Sequence, residues 1–220
     1  MELEEFALDF ARRPTVAKAL ELERILREAA PEEQAAARDG AWAESEYTRA
    51  ALADRHEPKP YDLRELADMP PGTLGHAYGT HMLENGLQLD FYEAIESTSD
   101  ATYIRNRIYQ THDIVHVLCG YTTSTLDESG VTGFYFGQQD RYHGPRGGLL
   151  MQHSIIQQGA VFLHAGVHDP EDGRLQVRSF ISGYNRGYAA RPFLSFRLEE
   201  MFELPIAEVR QTIGIPPRTA

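Results

Sequence analysis

The chain has 220 residues, 42% hydrophobic and 25% charged, with 21 basic against 33 acidic side chains and a formal net charge of −12. That length accommodates a core burying roughly 70% of the unfolded surface, so one large domain or a tight pair needs no covalent staple. The acidic balance argues against nucleic acid as a partner and against purely electrostatic docking on anionic lipid, both of which call for excess positive charge.

A single cysteine, Cys119, excludes an internal disulfide framework and any cysteine-built zinc cage, and reads as a small buried hydrophobe. The opening MELEEFALDF lacks the basic and apolar regions of a signal peptide. The best apolar run, GAVFLHAGV, is too short to span a bilayer. These features predict an intracellular chain, soluble or peripheral to a membrane.

Helical patterning dominates in chain order. Residues 15–29 predict a helix with Val16, Leu20, Leu22 and Ile25 as its apolar stripe. Pro31 opens a polar, Ala-rich helix that stops near Gly40. The run RHEPKPYDL, with two prolines, marks a linker near residues 55–62. The expected organisation is therefore an N-terminal helical extension over 1–60 and a helical domain over 61–220.

Thr73 is the expected cap of a short helix ending near Glu84, before Asn85-Gly86. Gly75 and Gly79, four apart on it, predict close approach of another helix or of a ligand. Residues 99–119 give the clearest helix, capped by Ser99 or Asp100, lined by Ile104, Ile108, Thr111, Val115 and Leu118, and ended by Gly120. A helix over about 124–139 follows, capped by Thr123 or Ser124. Then come a loop at DRYHGPRGG, a long apolar helix over about 149–167, a turn at HDPEDG and a helix over 175–190. Short helices follow Pro192. Alternating strand patterns are scarce, so the fold class is all-α, a multi-helix, bundle-like arrangement.

The stretch THDIVHVLCGYTTSTLDE carries the chemistry. His112 and His116, four apart on a helix, project from one face with Cβ atoms about 5–6 Å apart, and Asp113 borders the same patch. Glu128 sits near the start of the next helix, which a short connection can fold back towards the histidines. Two imidazoles and two carboxylates suit zinc, and equally iron(II), manganese or cobalt. The competing reading is a core histidine satisfied by a carbonyl, because His112 also falls on the apolar stripe. A His-Asp dyad is shared by HD phosphohydrolases as well. His164 and His168 repeat the spacing but look like a solvated helix end.

H-D-x-x-H, eleven residues, then E resembles the signature of the fourth Coq protein family of coenzyme Q (ubiquinone) biosynthesis. Here it is His112, Asp113, His116 and Glu128. Three further pieces are similar to that family's pattern: PPGTLGHAY at 70–78; Asp100, Tyr103 and Arg107 ahead of the histidines; and the terminal RLEEMFELPIAEVRQTIGI. The likeness covers about residues 65–215. The chain departs from the family at Gly120-Tyr121-Thr122-Thr123, where the pattern is G-M-P-T, and at Arg197-Leu198-Glu199, where it is R-W-E.

The resemblance implies an all-α protein held peripherally on a membrane, in the cytoplasm at the inner membrane of a bacterial host. It implies a divalent metal, generally zinc, on His112, Asp113, His116 and Glu128. It implies a polyprenyl quinone precursor as substrate, loss of the C1 carboxyl from a polyprenyl-hydroxybenzoate intermediate, with or without hydroxylation, and/or a role as organiser of the biosynthetic complex, with other ubiquinone-biosynthesis proteins as partners and a homodimer left open. A non-catalytic, prenyl-lipid-binding scaffold with a structural metal is the alternative. Arg107 is a candidate partner for a substrate carboxylate or for Asp113, or else part of a structural salt bridge. Ile155, Ile156, Val161, Phe162 and Leu163, with the Gly75/Gly79 face, are candidates to line a groove for the lipid tail, or else ordinary core.

Overall fold

A computed structural model describes residues 3–89, 91 and 96–218, so Met1 and Glu2 of the acidic opening lie outside it. The fold is all-α, and the described residues contain no strand. The helices, in chain order, are α1 (Leu3–Arg12), α2 (Val16–Ala29), α3 (Glu32–Glu44), α4 (Glu46–Asp54), α5 (Leu63–Ala67), α6 (Leu74–Glu84), α7 (Asp100–Cys119), α8 (Thr125–His143), α9 (Gly147–Leu150), α10 (Gln152–His168), α11 (Pro170–Ala189) and α12 (Ile206–Ile213).

α7 is the axis of the main core. Ser99 caps it in a reciprocal capping box with Thr102, and Gly120 ends it in the left-handed region at φ 68°. Ile104, Ile114, Val115, Leu118 and Cys119 are buried along it. They pack with Leu74 and Tyr78 of α6, Val131 and Phe134 of α8, Phe193, Leu198, and Val209 and Ile213 of α12. Tyr47 and Ala51 of α4 join the same core, although they precede the proline-marked segment. α1, α2 and α10 form a second, smaller core around Phe6, Phe10, Leu22, Leu26 and Ala160.

α8 and α11 lie nearly backbone to backbone. A Cβ added to Gly133 or Gly137 would overlap the carbonyls of Phe180 or Tyr184, and one on Gly183 or Gly187 would overlap those of Gly130 or Phe134. This glycine seam holds the start of α8, which brings Glu128 to the site. Gly79 meets the backbone of α5 at Ala67 and Leu63, and Gly75 meets Met69 and Phe202. Of the two expected occupants of that glycine face, protein takes the place, not a ligand.

Several expected boundaries shift. α3 runs through Gly40 to Glu44, where Ser45 caps the next helix. α8 continues to His143, and a 3₁₀ turn at Gly144–Arg146 and α9 replace most of the expected loop. HDPEDG is a helix start rather than a turn: Asp169 accepts from the Asp172 N–H and Pro170 takes the first helical position. The side chains proposed to line a lipid groove diverge. Ile156 and Val161 pack on the N-terminal core, Phe162 meets the Phe180 ring at 5.8 Å, and Ile155 and Leu163 are exposed.

Candidate metal centre

The sequence puts His112 and His116 one turn apart on α7, and the fold places their Nε2 atoms 3.2 Å apart. Glu128, one turn into α8, sets one carboxylate oxygen 3.4 Å from His116 Nε2 and the other 3.8 Å from His112 Nε2. Ligand atoms of His112, Asp113 and His116 lie within 4.8 Å of one another, while Glu128 approaches the two histidines and stands outside that tighter group of three. Two nitrogens on a tetrahedral ion at 2.0–2.1 Å would stand about 3.3–3.4 Å apart, so the imidazole spacing fits such an ion. Among the described residues no other His, Cys, Asp and Glu grouping has metal-holding dimensions. His164 instead turns Nδ1 to the Ala11 carbonyl oxygen at 3.1 Å, which ties α10 to α1.

The tautomer of His116 follows from its partner. Its Nδ1 lies 3.0 Å from the Thr122 carbonyl oxygen, which can only accept, so Nδ1 carries a proton and, in the neutral imidazole, Nε2 presents its lone pair to the site. Thr122 is itself fixed, because its N–H and its hydroxyl both donate to Asp127 at 2.8 Å. The family pattern has proline at this position, which could not donate that N–H bond. Arg218 pairs with the other Asp127 oxygen at 2.6 Å.

The end of α7 is unusually well tied. Tyr121 N–H donates to the His116 carbonyl and Gly120 N–H to that of Val117, the two bonds of a Schellman cap. Arg210 donates to the Leu118 and Val117 carbonyls, Arg186 to Cys119 and Arg218 to Gly120. Three guanidiniums thus cover carbonyls at the negative end of the helix. With the last turn immobilised, His116 is pre-positioned rather than free to swing.

Electrostatics divide the two imidazoles. Burial and the neighbouring His116 push the His112 pKa below its ordinary value. Burial also acts against the charged form of His116, but hydrogen bonding and the charge of Glu128 outweigh it and raise its pKa. Glu128 is depressed in return, since its bond to His116 and the charge of His112 outweigh its own burial. The Tyr135 ring lies parallel to His112, with centroids 6.1 Å apart.

Arg107 is not directed at Asp113. It is buried and grips Glu199 with both terminal nitrogens, at 2.8 and 3.0 Å, and also donates to Gln110. Sequence reasoning named neither Glu199 nor Thr122, Tyr135 and His81 as neighbours of the site. Glu199 reaches it through long-range packing, whereas Thr122 lies six residues after His116 in the connection that follows α7, and Tyr135 two turns beyond Glu128 on α8. His81, on α6, lies parallel to His116 with ring centroids 5.9 Å apart.

The family model for coenzyme Q (ubiquinone) biosynthesis protein Coq4 matches residues 41–218. The chain belongs to this family. The match begins at 41, ahead of the motif-bearing residues, and takes in α4. A mitochondrial COQ4 homolog of Nematostella vectensis is 29% identical over 71% of this chain and 72% of its own length. Those of Drosophila virilis and Xenopus tropicalis are 26% and 29% identical, over 72% and 71% of this chain. The alignments span only 56% and 52% of those two relatives, about half of their length. The crystal structure of a Nostoc punctiforme protein, described as a candidate ubiquinone biosynthesis protein, shares the fold. Its TM-score is 0.77 at 21% identity, over 97% of this chain and 94% of that one.

Proposed function

We propose that His112, Asp113, His116 and Glu128 hold one divalent cation, and that the chain uses the site to remove the C1 carboxyl from a polyprenyl-hydroxybenzoate intermediate of quinone biosynthesis. The observation that carries the reading is the 3.2 Å separation of two imidazole nitrogens with both Glu128 oxygens beside them. Donor atoms converging in this way fit one ion, and without an ion the same spacing suits a single N–H···N hydrogen bond between the two imidazoles. The donor set is mixed nitrogen and oxygen, which zinc satisfies and which iron(II), manganese and cobalt also accept.

A bound ion of this kind supplies Lewis acidity towards a phenolate or carboxylate oxygen. The rest belongs to the chain. His116 is held by Thr122 and by the capped end of α7, so its lone pair is pre-aimed. Glu128 is half-exposed while His116 is buried, so a substrate oxygen would approach from the α8 side. The carboxyl leaves as CO2, C1 keeps the electron pair, and a proton is taken up at C1. Arg107 acts at one remove, its pairing with Glu199 fixing α7 against the 3₁₀ turn Leu198–Met201.

No helix among the described residues is long and apolar enough to cross a membrane. Exposed Ile155, Leu163 and Val167, which share one side of α10, support peripheral contact with the bilayer where a polyprenyl substrate resides. The test is metabolic. A strain lacking the gene should accumulate a carboxylated prenyl precursor, and a folded His112→Ala chain should fail to clear it. Full rescue by that variant would favour the scaffold reading and overturn the catalytic one.

A further inference from the structure

His81 lies outside the four residues of the proposed cation site, yet the fold brings it there. α6 is drawn against α5 by Gly79, and its end is tied to the loop after α7. Asn85 donates to the His81 carbonyl at 2.8 Å and accepts from the Thr123 hydroxyl at 3.2 Å. The His81 ring then stacks on His116, 25° from parallel. Its Nε2 is buried and has no hydrogen-bond partner among the described residues. A buried polar nitrogen left unmatched costs about 1–3 kcal/mol, so native proteins leave few of them without a water, ion or ligand to pair with. The charged groups that bear on this ring are His116, Asp113, Glu128 and Glu84, the first three being members of the cluster.

We propose that His81 is a positioning residue of this centre: its Nε2 hydrogen-bonds the exchangeable ligand of the cation, a water or an anionic oxygen of the substrate, while its ring braces His116. The proposal rests on the cation site proposed above. It assigns to α6 a role in holding the non-protein ligand, which the four cluster residues leave open. An imidazole one bond beyond the ion orients that ligand without competing for the ion.

The test uses the full chain loaded with cobalt(II), with azide as the probe for the exchangeable position. Wild type, His81→Phe, His81→Gln and His112→Ala are compared by metal content, visible cobalt absorption and azide titration. Phe keeps the ring packing and removes the nitrogen, while Gln restores an N–H donor. We expect His81→Phe to retain cobalt, to shift the cobalt bands and to bind azide about 10–100-fold more weakly, as when an outer partner of a metal site is lost. His81→Gln should recover part of that loss. A ring that only packs would show full azide affinity and unchanged bands in His81→Phe, and that result overturns the inference. If His81→Phe does not fold, His81→Gln against wild type decides by the same two readouts. If wild type takes up no cobalt, the cation site itself fails and the inference falls with it. If wild type loads, His112→Ala does not and His81→Phe matches wild type, only the inference fails.

Discussion

His143 closes α8 inside an aromatic box. Its ring meets Trp42 edge-on at 5.1 Å and Tyr47 at 5.5 Å, and Nε2 lies 3.3 Å from the Ser45 hydroxyl. Burial pulls its pKa down from 6.5 to about 4. Because the folded value lies below the unfolded one, the unfolded chain takes up the proton first, and stability falls as pH drops from about 7 towards 4. At pH 5 the unfolded imidazole is almost fully charged and the folded one almost neutral. With 1.36 kcal/mol per pKa unit, this one residue should cost about 2 kcal/mol between pH 7 and pH 5. Urea unfolding at both values, on wild type and His143→Phe, isolates that contribution. Phe keeps ring and volume but cannot titrate, and shifts from all other groups, the metal ligands included, act on both proteins alike. His143→Phe should lose about 2 kcal/mol less than wild type on going to pH 5, whatever its stability at pH 7. Equal losses in the two proteins would refute the argument.

Replacing Gly183 by Ala should destabilise the chain by about 1–3 kcal/mol in urea unfolding, because its Cβ meets the Gly130 carbonyl. Gly40→Ala, with nothing within 4 Å, should instead stabilise α3 by up to about 1 kcal/mol. Arg107→Ala leaves Glu199 buried with only the His56 imidazole, 3.9 Å away, beside it and should cost about 3–5 kcal/mol, whereas Arg107→Met with Glu199→Leu should recover most of it. Cys119 is buried, and burial pushes its thiol up to about 12, so it should resist a disulfide-exchange reagent until the chain is unfolded in urea. Prompt reaction of the native protein would contradict that placement.

The parts legible in the sequence are those with local signatures. The Ser99 cap, the Gly120 stop and the inward stripe of α7 are short-range patterns, and the two histidines inherit their shared face from them. Glu128 was legible because a five-residue connection leaves little choice of where α8 begins. The α8 boundary at Gln139 failed because the Gly-Pro-Arg-Gly-Gly run reads as a breaker, while packing on α3 and α4 keeps the chain helical through His143. The glycine seam of α8 and α11 was invisible to an apolar-stripe reading, since close backbone approach is recorded by missing side chains. The lipid-groove expectation had the same origin. Apolar residues of α10 share a segment but not a direction, and the glycine face of α6 is already filled by α5 and Phe202. His81 has Glu84 one turn on but no spacing that ties it to the HDxxH helix, and it meets His116 only through tertiary packing.

The metal content of the purified chain bears most directly on the proposed centre. After treatment with a chelator and reloading with zinc or cobalt, wild type should hold about one equivalent, while His112→Ala and Glu128→Ala, with helicity unchanged by circular dichroism, should hold well below one. Unchanged stoichiometry in both variants, or no metal in wild type, would contradict the site.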